Sequence, residues 1–329
     1  MSKLYTRDDI QIFIFTKNNK ERLHQALTSV LNQSIGELFI TVLDIGSTDG
    51  TGDYVYEMSQ KHPNVKYCWH EFTDEKVVFL KKAIEMTETD YVMMFQDKDL
   101  LHPDYVKFAV AAINKFPKTA IVSTRCQEWS NPENSNWQKA SKRFDYCHDK
   151  KTFADYLYRM QKYVFTPTIY KTQNLRDHIF DMGYYSQFGE ICYKPFVANT
   201  MKDDDTAIIF RSKKLLKYRT FVDRHSALPT YSAIIAYNKF FKDYMSDTLY
   251  SKFMYNLINY KQLKDAYFEG RDFTIDLNEF IHLAIKEDAG CTWTKLCTIP
   301  YLGFVFQEVA SFLRNIFKTK YKRIFSLDS

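Results

Sequence analysis

Apolar and polar positions follow two alternating periods over the first hundred residues. "IQIFIF", from Ile10 to Phe15, is a nearly unbroken apolar run of strand length, the pattern of a strand buried on both faces. In "NNKERLHQALTSVLNQ", which follows, Leu23, Leu27, Val30 and Leu31 recur at helical spacing. "ELFITVLD" predicts a second strand, "GTGDYVYEMSQKH" a helix that Pro63 ends, and "VKYCWHEF" a third strand. "EKVVFLKKAIEMT" predicts another helix and "DYVMMFQD" a fourth strand. Strands and helices in this order imply an α/β fold with a mostly parallel sheet covered by helices on both faces. Ligands of such sheets bind beyond the carboxyl ends of the strands. The two polar turns "DIGSTDG" and "FQDKD" leave strands at those ends.

The pattern then loosens. "PDYVKFAVAAINKFP" predicts a helix, "TAIVSTRCQEW" a strand, "SNPENSNWQKAS" a polar loop and "DKKTFADYLYRM" a helix. "VFTPTIYKTQNL" contains a strand broken by Pro167, and "GYYSQFGEICYKPFVANTM" carries an acidic residue into a helix. "TAIIFRSKKLLKYRTF" predicts a strand or a hairpin. From about Thr230 the chain turns helical and aromatic, which divides it into residues 1–229 and a helical C-terminal region, 230–329. Near its end Leu302, Val305, Phe306, Val309, Phe312, Leu313, Ile316 and Phe317 fall in steps of three and four, just after Pro300. That is an amphipathic helix. Its polar side becomes basic at Arg314, Lys318, Lys320, Lys322 and Arg323. Such a face suits an anionic membrane surface, a partner subunit or the protein's own core.

Composition narrows the field. With 45% hydrophobic and 26% charged residues among 329, the chain is expected to fold as a globular protein. A net charge of +5 is too mild to argue for nucleic acid. Aromatic residues reach 17%, which suits core packing first and carbohydrate stacking second. The six cysteines lie far apart, with no pair at zinc-ligand spacing. No secretory or membrane-spanning segment is apparent, so reduced thiols and a cytoplasmic protein are expected, either free or peripheral on the inner face of the cell membrane.

Four ordered pieces of the first 110 residues carry a family resemblance: "FIFTKNN", "ALTSVLNQS", "LDIGSTDGT" and "DYVMMFQDKDLLHPDYV". Together they resemble the family-2 inverting glycosyltransferases of the GT-A fold, of the bacterial surface-glycan type. The resemblance implies a Rossmann-like sheet and a nucleotide-sugar donor, commonly a UDP-sugar. It also implies an Mn²⁺ or Mg²⁺ ion and a glycan, lipid-linked or protein acceptor. Phe15, Thr16 and Asp44 would meet the nucleoside, Lys81 a phosphate, and Asp97, Lys98 and Asp99 the donor or metal. Glu190, in "GYYSQFGEIC", would be the base that deprotonates the acceptor. His225, in "KYRTFVDRHSALPT", would touch the metal or diphosphate. The chemistry wants these types: a nucleoside diphosphate gains negative charge as it leaves, and hard cations on carboxylate oxygens can offset it.

The sequence also departs from that pattern. Where the family reads Asp-x-Asp-Asp before Leu-Leu-His, this chain has Gln96, Asp97, Lys98 and Asp99. Three readings stay open at this point. An altered turn could bring Asp97 and Asp99 to a metal. Lys98 could stand in for the cation, since an ammonium stabilises a diphosphate as a point charge. Or the site is inactive and the fold is kept for an accessory or binding role. Ile45 and Leu80-Lys81 depart from the family's usual residues as well.

Overall fold

The apolar runs become parallel strands because both of their faces are covered. β1 (Ile10–Thr16) pairs in parallel with β2 (Phe39–Ile45) on one side and β4 (Tyr91–Gln96) on the other, and β2 pairs with β3 (Val65–His70). A computed structural model describes residues 3–72, 76–129, 137–159, 167–178 and 193–219. The chain divides by its contacts into two units, Met1–Thr230 and Tyr231–Ser329. Every described residue lies in the first unit; Glu190, His225 and the basic C-terminal helix lie outside the described residues.

The chain starts at β1, steps outward to β2 and β3, then returns across β1 to form β4. Right-handed crossovers put the helices of opposite steps on opposite faces. Thus α1 (Lys20–Leu31) and α2 (Thr51–Lys61) cover one face, and α3 (Lys76–Met86) the other. Neighbouring residues of β3 report both: Tyr67 packs against Gly52 of α2, whereas the Cys68 thiol meets Met86 of α3 at 3.8 Å. On the first face Ile10, Ile12, Ile14, Val42, Met93 and Phe95 pack with Leu23, Leu27 and Val30 of α1 and Val106 of α4 (Tyr105–Lys115). Each fully buried side chain of this size contributes roughly 1.5–3 kcal/mol. A one-residue slip would turn the whole set to the wrong face, so burial fixes the register.

The second half of the sheet is mixed rather than parallel. β9 (Thr168–Lys171) runs antiparallel between β4 and β6 (Thr119–Thr124). β10 (Thr206–Phe210) lies parallel to β6, and β8 (Phe144–Cys147), a strand the sequence pattern does not announce, closes the edge antiparallel to β10. The full order is β3-β2-β1-β4-β9-β6-β10-β8. "TAIVSTRCQEW" is two strands, not one: β6 stays in the main sheet and β7 (Gln127–Trp129) enters a second, three-stranded sheet. "TAIIFRSKKLLKYRTF" is likewise not a hairpin. Its β11 (Leu216–Arg219) joins that second sheet between β7 and β5 (Leu100–Leu101). The reason is local: Arg125 N donates to the Phe210 carbonyl at 3.0 Å, and the Thr124 hydroxyl donates to the Ser212 carbonyl at 3.3 Å. Strands β6 and β10 therefore leave the main sheet tied together and pair again, in parallel, as β7 and β11.

Candidate active site

The turn after β1 and the turn after β2 are laced into one unit. Asn18, held at φ 48°, donates its backbone N–H to the Ser47 hydroxyl at 2.8 Å, and its side-chain oxygen accepts from Thr48 N at 2.7 Å. The Asp49 carboxylate accepts from Lys20 N at 3.2 Å, and from both Thr51 N at 3.1 Å and the Thr51 hydroxyl. One carboxylate thus satisfies orphan N–H groups at the starts of both α1 and α2. Burial pushes the Asp49 carboxyl up, but the bonds from Thr51 and Lys20 outweigh it and hold it below the usual carboxylate range. Gly46, at φ +71°, makes the sharp exit from β2, and Phe72 crosses so close that a Cβ there would stand 3.0 Å from its backbone nitrogen. Only glycine takes that conformation at little cost.

Asp44 lies beneath this turn. It is 0% exposed; one oxygen accepts from Ser47 N at 2.9 Å and the other from the Tyr67 hydroxyl at 2.8 Å. Burial, and then Asp44 itself, push the Tyr67 phenol up. The sequence expectation put Asp44 against the nucleoside; the structure gives both of its oxygens partners inside the protein.

Strand alternation explains that arrangement. Thr16 pairs with Asp44 across β1 and β2, so both share the α1 and α2 face. Phe15 pairs with Gln96, and Ile45 with His70. These four form a half-buried row across the carboxyl ends of β3, β2, β1 and β4, on the α3 face. The His70 ring meets Phe79 of α3 edge-on at 5.4 Å. Beyond the row Phe72 is exposed, with the Lys17 ammonium over its ring. Trp69, on the other face, is 56% exposed.

Reversal of strand order puts the switch point of the sheet between β1 and β4, where open α/β sheets receive ligands. The turn from Gln96 to Asp99 occupies that point. Asp97 N donates to the Phe15 carbonyl at 3.2 Å, and the Thr16 hydroxyl donates to Asp97 at 2.9 Å. Burial pushes the Asp97 carboxyl up, against the opposing pull of Asn19, Thr16 and the Lys17 backbone. Lys98 is half-buried. Asp99 N closes the turn onto the Gln96 carbonyl at 3.2 Å, and the Asp99 carboxylate, 0% exposed, accepts from Arg219 N at 3.2 Å. The Arg219 guanidinium donates to Gln25 of α1 at 2.7 Å. Burial, and then repulsion from Arg22, push the Arg219 guanidinium down, while Asp99 and Asp97 attract it.

Phe15, Thr16, Asp44, Asp97, Lys98 and Asp99 are thereby gathered around the tips of β1, β2 and β4. Lys81 is exposed on α3, with Glu85 one turn on at 4.0 Å. Neither Glu190 nor His225 is among the described residues. Alternation alone, applied to the strand ends, would have picked out His70 and the α3-face row. Arg219 gives no such signal, because nothing local in sequence ties it to Asp99.

A divalent cation needs several oxygen ligands with lone pairs to spare. Among the described residues no group of three or more His, Cys, Asp or Glu side chains could hold a metal ion. Asp97 is engaged by Thr16 and Asn19, Asp99 by Arg219, and an ammonium stands between the two in sequence. The described residues therefore do not fit a metal by themselves.

The glycosyl transferase family 2 model matches residues 11–187, more than half of the chain. A poly-beta-1,6-N-acetyl-D-glucosamine synthase of Staphylococcus epidermidis is 25% identical over 116 residues, spanning 35% of this chain and 28% of that protein. The same synthase from a second Staphylococcus epidermidis strain is 24% identical over 116 residues. Among solved structures, S. aureus TarS 1-349 in complex with UDP-GlcNAc has a TM-score of 0.58 at 13% identity, covering 85% of this chain and 83% of that one. The complex of the same TarS fragment with UDP also gives 0.58. At that identity the likeness is one of fold, and it agrees with the GT-A architecture expected from the strand and helix order.

Proposed function

The chain belongs to glycosyl transferase family 2, and we propose that it moves one sugar from a UDP-sugar to a glycan, glycolipid or glycoprotein acceptor with inversion. The observation that carries this reading is the switch point itself. The Thr16–Asp97 bond joins the tips of β1 and β4, beside the row of Phe15, Ile45, His70 and Gln96. A flat base suits that apolar and aromatic row, and the diphosphate then falls toward the turn from Gln96 to Asp99. The TarS fragment is bound to UDP-GlcNAc in one structure and to UDP in another. The synthase relatives are named for an N-acetylglucosamine polymer. Both make UDP-GlcNAc the first donor to test.

In the proposed reaction Glu190 takes the proton of an acceptor hydroxyl. The oxygen attacks the anomeric carbon from the side opposite the diphosphate. The bond from that carbon to the phosphate oxygen breaks, and its electrons leave with UDP. Work belongs in the cytoplasm or on the inner face of the cell membrane, with the basic helix near residues 302–323 resting on the membrane or on a partner subunit. No helix among the described residues is long and apolar enough to cross a membrane.

A screen of UDP release and glycan extension across common nucleotide sugars tests the reading. Glu190→Gln should slow transfer by roughly 10²–10⁴-fold; an unchanged rate removes Glu190 as the base. One specific observation favours a second reading, an inactive accessory protein. Gln96 and Lys98 stand where carboxylates are expected. UDP binding with no transfer or hydrolysis of any donor would select it.

A further inference from the structure

We infer that the donor diphosphate is held by the Lys98 ammonium with no divalent cation between protein and phosphate; this rests on the UDP-sugar reading above. The turn from Gln96 to Asp99 offers two carboxylates and one ammonium. Of its two carboxylates, Asp97 is engaged by Thr16, Asn19 and the Lys17 backbone, and Asp99 is fully buried against Arg219 N. Neither presents the open set of oxygens a hard cation demands. A cation seated there would also sit beside Lys98 and be repelled by it.

The same surroundings suit an anion. Lys98 lies at the sheet's switch point, where the ligand of an open α/β sheet is expected. Lys17 stands at the end of β1 over Phe72, and Arg219 lies within electrostatic reach of Arg22 and of both carboxylates of the turn. Lys98 acts on the Asp97 carboxylate, and Arg219 on both Asp97 and Asp99. Gln96 adds neutral amide donors beside them. An ammonium presents three donors that can follow the non-bridging phosphate oxygens, and charge-assisted bonds of this kind are the strong ones. As the sugar leaves, the charge that builds on the diphosphate meets a fixed positive group already in place.

Calorimetry of the full chain with UDP, in EDTA and then with Mn²⁺, tests this, with uridine binding followed by NMR. UDP should bind equally well in both buffers. Lys98→Ala should weaken UDP by ~10-fold or more in both, the worth of one charge-assisted bond, and leave uridine unchanged. Lys98→Asp should make UDP binding depend on Mn²⁺. UDP binding by the natural chain only with Mn²⁺ overturns the inference and leaves the donor reading standing. Unaltered UDP affinity in Lys98→Ala also overturns it. Absence of UDP binding in either buffer overturns the inference and the donor reading together.

Discussion

The two polar turns at the carboxyl edge of the sheet look alike in sequence and behave differently. In "DIGSTDG" the carboxylates of Asp44 and Asp49 accept from Ser47 N, Lys20 N and Thr51 N, along with the Tyr67 and Thr51 hydroxyls. In "FQDKD" the carboxylates are reached from more distant parts of the chain, by the Thr16 hydroxyl and Arg219 N, and a lysine lies between them in sequence. The first turn spends its acids on holding two helix starts and a glycine corner. The second sets a lysine between its two acids at the switch point. Acidic residues at strand ends are therefore no guide to ligand contact until their hydrogen-bond partners are known.

That contrast can be broken by substitution. The largest expected effect is at Asp44: Asp44→Ala leaves the Tyr67 hydroxyl and Ser47 N unpaired in a buried place, and should cost roughly 3 kcal/mol in urea denaturation. Asp49→Ala should cost about 1–2 kcal/mol, the worth of the helix caps it provides, and the loss should depend on pH. The folded Asp49 carboxyl is held below its unfolded value of 3.8. Its stabilisation is thus present above that value and lost as pH falls through the folded one. Melting temperatures of the natural and Asp49→Ala chains should differ most near neutral pH and converge in acid. A constant gap would mean that the Asp49 charge contributes nothing.

Gly46→Ala should cost about 1–2 kcal/mol, because alanine must adopt a left-handed backbone there and push on Phe72. The smallest effect on stability is expected in the second turn. Lys98→Ala should change unfolding by less than about 0.5 kcal/mol while transfer falls. A large loss of stability in Lys98→Ala would erase the distinction between the two turns.

Much of the first four strands was legible because each is a long apolar run, so its local period announces it whichever strand it pairs with. In the mixed half of the sheet β6, β9 and β10 were still legible as apolar runs, but the short strands that depend on distant partners were not. β8 pairs with β10 some sixty residues away, and "FDYC" has no long apolar run to announce it. β5 is two residues long and exists only because β11 arrives beside it. At the site, the cluster of candidate residues could be read from strand ends, but the facing of each could not. Asp44 and Ile45 differ by one step along β2, and that step separates a buried anchor from the row on the α3 face. Arg219 was invisible for the same reason as β5: its contact with Asp99 spans more than a hundred positions.

β9 carries a consequence for how the protein is made. It lies antiparallel between β4 and β6, so neither neighbour has its full set of backbone partners until Thr168–Lys171 has left the ribosome. Until then two long apolar edges stand open, and open edges recruit other chains. A truncated gene ending before Thr168 is therefore expected to yield inclusion bodies rather than a smaller working protein. A split version rejoined at that strand would need β9 supplied with the first piece.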